Sequence, residues 1–460
     1  MPTIDGMKMV KLVMDDTPRE LEPMNPAGRD TKERSMNEGK VQMKKQLGLL
    51  EGVAIILGII FGSGIFISPK GVIEEVGSIG LSLIIWVLCG LLSTIGALCY
   101  AELGTSIPRS GGDYAYIHEA FGALPSFLYL WAANLIFVPT TNAIMALTFA
   151  DYVLQPFFPN CPTPVEGVRL IAAATICFLT FVNCYGVKET SMMQNVFMFA
   201  KILALVIIIV INKKNCTVLQ RITFTIPSKT QRPILEKYLK NRTSEIKLHF
   251  ILLTPTAMIA SNAIAVTLGD QTLGVMAWIM PVLVAASAFG GLSVHIMTSS
   301  RMCFVGARNG HFPAMLSHIN LQRLTPTPAL VFLCILSLIM LCTTDLSVLI
   351  TYCSIVESFF IMLSVAGILW LRHSRPEMNR PIKVSLWIPI TFVAVCAFLV
   401  LVPCYVRPFE VGMGLVITLS GIPAYYMGVV WQNKPAWFQQ INVTHTVQKI
   451  FVSAREDRND

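Results

Sequence analysis

Charge is what this sequence lacks most. Asp, Glu, Lys and Arg make up 13% of its 460 residues, against about 25% in ordinary soluble domains. With 54% hydrophobic residues, the composition is that of a polytopic helical membrane protein. Its apolar runs show no period-two alternation, which excludes a transmembrane β-barrel. Metal-ligand clusters, nucleophile constellations and phosphate loops are also missing, so no enzyme activity, metal or cofactor is expected. Residues 1–45 lack the apolar core of a signal peptide. The twelve cysteines do not form a secreted disulfide scaffold. Most of them (Cys89, Cys99, Cys177, Cys184, Cys334, Cys342, Cys353, Cys396) lie in apolar runs and read as small hydrophobes.

What is present is a series of apolar runs of helical length. They cover Leu49–Ile67, Ile79–Leu103, Pro125–Ala150, Val168–Cys184 and Asn195–Ile211. After a gap come Leu273–Ser300, Pro328–Leu341, Leu346–Leu371, Leu386–Val402 and Val411–Trp431. About ten spans are therefore expected, between a disordered N-terminal tail (1–45) and a C-terminal tail (433–460). The net charge of +8 is a topology signal. Lys40, Lys44 and Lys45 precede the first span. Arg109, Lys188, Arg301, Arg308, Arg323, Arg372, Arg375, Arg380 and Lys383 fall on the same predicted side, and the opposite loops carry acids such as Glu74, Glu166, Asp345 and Glu410. The positive-inside rule then places both termini in the cytoplasm. One segment breaks the pattern. Residues 212–249 hold nine Lys or Arg and two acids, on the predicted outer side.

Within the first run, Ile59-Ile60-Phe61-Gly62-Ser63-Gly64-Ile65-Phe66 places two glycines around a serine at membrane depth. Gly weakens a helix and Ser competes for its backbone bonds, so local unwinding is expected. Unwound backbone at that depth must line a cavity. The N–H groups near Ser63 and Gly64 would suit a carboxylate, and the carbonyl of Ile60 an ammonium. A small-residue notch for helix packing is the alternative for the same residues.

Several blocks resemble the light subunits of heteromeric amino-acid transporters, in the L-type and y+L-type branch of the amino acid–polyamine–organocation superfamily. They are Gly62-Ser63-Gly64-Ile65-Phe66, Ala97-Leu98-Cys99-Tyr100-Ala101-Glu102-Leu103-Gly104, Ser110-Gly111-Gly112-Asp113-Tyr114-Ala115-Tyr116 and Val182-Asn183-Cys184-Tyr185. Further on come Gly274-Val275-Met276-Ala277-Trp278, Ser300-Arg301 and Arg380-Pro381-Ile382-Lys383. The resemblance covers residues 46–211 and 251–437. It implies an all-α transporter with an inverted five-plus-five repeat, a broken first helix at Ile60–Gly64, and a midplane substrate site for a large neutral L-amino acid. Exchange of basic for neutral amino acids, as in the y+L-type members, is a second possibility within the branch.

The resemblance also assigns single residues. Lys201, apolar on both sides, corresponds to a lysine of sodium-independent members and would replace a coupling Na⁺; a lysine snorkelling to the headgroups is the alternative. Asn134 and Thr141 on the third helix would line the pathway. Cys161, in a polar connection, matches the cysteine that bonds a single-pass glycoprotein heavy chain, which escorts such light chains to the plasma membrane. A free thiol is the alternative. Three further residues carry no family role. Glu357, well inside a span, is expected to be a protonated, hydrogen-bonded helix contact, the other reading being a pathway acid that recognises basic groups. His295 is expected to be a satisfied packing histidine, and Glu102 a solvated structural acid near a helix end.

The departure from the family is as informative. No Gly-Trp dipeptide occurs anywhere in the chain, although the family's sixth helix carries one. The basic segment 212–250 stands where the sixth and most of the seventh helix belong. As written, the chain is expected to lack half of the substrate site. It would then be a splice variant or gene-model product that still binds the heavy chain without transporting.

Overall fold

The structure, a computed structural model, describes residues 52–53, 71–73, 75–158, 163–203, 206, 278–342, 346–431 and 453–455. Expectations for the segments 1–45, 54–70, 159–162 and 207–277 lie outside the described residues.

The apolar runs form helices because a backbone in lipid must satisfy its own N–H and C=O groups. In chain order these are α1 (Ile79–Ser106), α2 (Asp113–Phe121), α3 (Ala123–Ala132), α4 (Val138–Leu154) and α5 (Val165–Tyr185). Then come α6 (residues 187–203), α7 (Ile279–Arg308), α8 (Thr327–Leu341), α9 (Leu346–Ser374), α10 (Trp387–Val406), α11 (Pro408–Leu419) and α12 (Gly421–Tyr425). Among the described residues seven helices are long and apolar enough to cross a membrane, and α8 is a shorter apolar one. The fold is all-α and polytopic, as composition requires.

The best-buried span is α7. Its Leu292 and Ile296 pack on Ala143, Ala146 and Ala150 of α4 and on Ala172, Ile176 and Leu179 of α5. The alanines recur on one face of α4 and let the helices approach closely, which is how helices associate where lipid offers no hydrophobic driving force. A second cluster joins Cys99 and Leu103 of α1 to Val365 and Ile368 of α9 and to Phe392 and Cys396 of α10. Outward faces are apolar, with Val87, Leu91, Leu401 and Val406 exposed, as a lipid-facing surface should be.

Three features depart from the sequence reading. First, α3 and α4 are one span interrupted by a π-helical turn, Ala133–Phe137. Pro139 follows directly; it has no N–H and its ring crowds the carbonyl four residues back, so the ladder widens there. Second, a short helix, α2, stands between the first two described spans. Third, the C-terminal stretch is tied down: Ser453–Arg455 (β2) pairs antiparallel with His318–Asn320 (β1), with Ile319 opposite Ala454.

The expectation that Glu102 is solvated is corrected. Glu102 is 2% exposed and bound to Arg372. Arg372 Nε and Nη2 donate to its carboxylate at 2.9 and 2.5 Å, and the backbone N–H of Val384 donates at 3.0 Å. Arg372 also donates to the Val384 carbonyl at 2.6 Å. A carboxylate with three donors can be buried where an unpaired one cannot. Beside it, Glu119 of α2 accepts from Arg109 at 2.9 Å and also pairs with Arg375. These contacts fasten α1, α2, α9 and the chain after α9 to one another.

Candidate functional site

Of the residues expected to bind substrate, Ile60, Gly62, Ser63 and Gly64 lie outside the described residues. So does Cys161. The remaining candidates sit in the π-helical turn before α4 and on α4, α6, α7 and α9.

Lys201 is buried, at 2% exposure. Its side chain runs against two glycines of α7: a Cβ added at Gly291 would lie 3.8 Å from its Nζ, and one at Gly290 would lie 3.6 Å from its Cε. At Gly290 an added Cβ would also meet Phe197 Cβ at 2.7 Å. The two glycines therefore set how closely α6 approaches α7. Gln194 adds a contact one turn before Phe197, with its Nε2 3.9 Å from Met297 Sδ. An ammonium is thus held between two helices rather than stretched to a headgroup layer.

Asn134 lies in the π-helical turn and is fully buried. Its Nδ2 donates to the Leu130 carbonyl at 2.9 Å, while its Oδ1 has no partner. A buried carbonyl oxygen left unsatisfied costs about 1–3 kcal/mol, so this position carries an acceptor that the fold itself does not use. Thr141 is half-buried on α4. Its neighbour Asn142 is the centre of a polar chain across three helices. His295 Nδ1 donates to Asn142 Oδ1 at 2.8 Å, Asn142 Nδ2 donates to Ser337 Oγ at 3.0 Å, and Ser337 donates to the Leu333 carbonyl at 2.7 Å. Phe137 stands edge-on to the His295 ring at 6.0 Å. His295 is thus a hydrogen-bonded packing residue, and Asn142, whose role sequence reading missed, orients it.

A cavity of about 500 Å³ opens at the Arg308 end of α7. Asp113, Tyr129, Phe137, His295 and Arg301 are among its lining residues. Asp113 follows Gly112, whose φ of 56° turns the chain into α2. Its Oδ1 accepts from the Tyr100 hydroxyl at 2.7 Å, and burial raises its pKa above the ordinary carboxylate value. The half-buried guanidinium of Arg301 makes no hydrogen bond or ion pair among the described residues. Glu357 lies within electrostatic reach of Asp113. It is exposed near the middle of α9 and makes no hydrogen bond among the described residues, so the hydrogen-bonded helix contact expected for it is not there. The walls thus carry charges of both signs, with apolar and aromatic surface between them. Among the described residues no group of three or more His, Cys, Asp or Glu could hold a metal ion.

The amino acid permease family model matches residues 47–213 and 246–430. Large neutral amino acids transporter small subunit 2 of Mus musculus is 42% identical over 93% of this chain and 90% of its own length. Asc-type amino acid transporter 1 of Homo sapiens is 37% identical over 89% of this chain and 88% of its own. The cystine/glutamate transporter of Homo sapiens is 38% identical over 91% and 93%. The mouse alignment runs over 479 positions, more than the 460 residues of this chain. The relative therefore has residues with no counterpart here.

Proposed function

The chain belongs to the amino acid permease family, and from that premise we propose that its fold exchanges large neutral L-amino acids by alternating access, without sodium. The observation that carries this reading is the burial of Lys201 against Gly290 and Gly291. A fixed ammonium between helices supplies the positive charge that a driving cation would otherwise bring, and an intramembrane charge is expensive enough to be kept only for use. The substrate class follows the name of the mouse relative. Backbone at Ile60, Gly62, Ser63 and Gly64 would take the carboxylate and ammonium of the substrate, and Thr141 its side chain. The word "subunit" in that relative's name supports a partner chain, which we assign to a single-pass glycoprotein heavy chain bonded through Cys161. Such a partner would bring the complex to the plasma membrane. A cytoplasmic C-terminus is supported by the β1–β2 pairing, which joins the C-terminal strand to the basic connection before α8, and a cytoplasmic N-terminus by the positive-inside rule.

A second reading has its own support. The family match breaks between residues 213 and 246, where the chain is basic rather than apolar. On this reading 212–250 replaces the sixth and most of the seventh helix, and this 460-residue chain docks the heavy chain without transporting. Within the exchanger reading, the exposed Glu357 speaks for y+L-type acceptance of basic side chains.

The test is reconstitution of the full chain with a heavy chain in liposomes preloaded with L-leucine. The exchanger reading expects labelled leucine to enter at the same rate in sodium and in choline buffer; a strict sodium requirement overturns it. Assembly without uptake supports the second reading. Sequencing the transcript across the codons for residues 205–260 tests the same point independently, because a message with two further apolar spans and a Gly-Trp would refute the inactive chain.

A further inference from the structure

A second recess, of about 640 Å³, shares no lining residue with the cavity at the Arg308 end of α7. It sits where α5 ends, α6 begins and the connection into α8 passes. Lys188, Ser191, Asn195, Gln322 and Arg323 line it, with the ring of Tyr185 at its side. Arg323 is held in place: its guanidinium lies 3.8 Å over the Tyr185 ring and donates to the Tyr185 carbonyl at 3.2 Å. The remaining guanidinium donors stay available. Lys188 is exposed and makes no hydrogen bond or ion pair among the described residues. Ser191 is 7% exposed, and its buried hydroxyl has no partner. The one acid present, Glu189, folds its carboxylate back over Gly186 at the start of α6.

Two cations and an orphaned buried hydroxyl in one concavity describe a site for an anionic, multiply accepting group. Its position narrows the source. Tyr185 and Lys188 lie where a membrane span ends, so the recess opens at the interface. From it an apolar stripe climbs α6 at helical spacing, through Met192, Val196, Phe199 and Leu203, each 54–71% exposed. A soluble anion has no use for that stripe, whereas an acyl chain does. We propose that this recess binds the headgroup of an anionic phospholipid in the adjoining leaflet, with Lys188 and Arg323 on the phosphate, Ser191 donating to it, and an acyl chain along α6. Basic pockets between helices at an interface recognise lipids in this way.

The test uses the purified full chain in mixed micelles, with phosphatidylinositol 4-phosphate and phosphatidylcholine as probes. Retention is read by native mass spectrometry, and stabilisation by thermal unfolding. The phosphoinositide should be preferred roughly 25-fold, since each of the two cations near the surface contributes about fivefold. Lys188→Gln should lower that preference about fivefold. Ser191→Ala should weaken it too, while leaving unfolding without lipid unchanged or improved, because it removes a buried hydroxyl that has no partner. Should Lys188→Gln fail to fold, Ser191→Ala decides alone. Equal retention by the wild type and both variants, or equal binding of phosphatidylcholine, overturns the proposal. Displacement by inorganic phosphate at equal concentration overturns it as well, since that marks a site for a free anion.

Discussion

Removing the Glu102 carboxylate should be among the most damaging single changes in the described part of the chain. Glu102 and Arg372 are 2% and 13% exposed, so neither charge can be handed to water when its partner goes. In Glu102→Ala, Arg372 keeps the Val384 carbonyl and loses two charge-assisted bonds, and the Val384 N–H loses its acceptor. Breaking a buried pair from one side costs about 3–5 kcal/mol. Glu102→Gln keeps the shape and part of the bonding, and should cost about 1.5–3 kcal/mol. Replacing both partners, as Glu102→Leu with Arg372→Met, removes the stranded charge. That double variant should lie within about 1–2 kcal/mol of wild type, the remainder being the Val384 N–H and carbonyl, which both lose their side-chain partners. The measurement is reversible unfolding in mixed micelles of rising SDS fraction, followed by tryptophan fluorescence, for the singles and the double in one cycle. An exposed pair serves as control: Arg109, 67% exposed beside Glu119, should matter by at most about 1 kcal/mol. If Glu102→Ala costs no more than the control, or if the double variant is worse than either single, the assignment of a buried, mutually dependent pair fails.

Two contrasts on other elements complete the set. Gly290→Ala brings a Cβ to within 2.7 Å of Phe197 Cβ, an atom too close to the backbone to move alone, so α6 must shift, at about 1–3 kcal/mol. Gly291→Ala meets only ordinary contact distances and should be neutral or stabilising by up to about 1 kcal/mol through helix propensity; the same SDS titration separates them. His311, outside the spans, is hydrogen-bonded through Nδ1 to the Tyr114 hydroxyl at 3.1 Å, and burial, then the neighbouring His118, push its pKa from 6.5 down to about 4. Because the folded value is the lower one, its contribution is complete above about pH 6.5 and is lost as the pH falls towards 4. Thermal unfolding at stepped pH should show this slope in the wild type and a flatter one in His311→Gln; parallel curves would refute it.

The spans were legible because lipid leaves a helix little choice. The run read as Ile79–Leu103 is the helix Ile79–Ser106, and that read as Val168–Cys184 is Val165–Tyr185. What stayed hidden depends on contacts that a linear reading cannot see. Glu102 looked solvated because Arg372 is 270 positions away. The helix Asp113–Phe121 escaped because its nine residues are too few and too polar to stand out beside the spans. The partners of Asn142 come from α7 and α8, so no local pattern marks it. Lys201 was legible as a charge in an apolar run, yet the two glycines that receive it lie on another helix.

The π-helical turn Ala133–Phe137 works as a phase shifter. One residue more than a regular turn allows rotates everything beyond it by about 100° relative to a straight helix. The two ends of one span therefore answer to different patterns, and the face that α4 shows to α7 and α8 is set by a local miscount rather than by continuous periodicity. Deleting a single residue there would leave both ends helical and apolar. It would also turn Asn142 away from His295 and Ser337, so that the helix would still cross the membrane while facing the wrong neighbours.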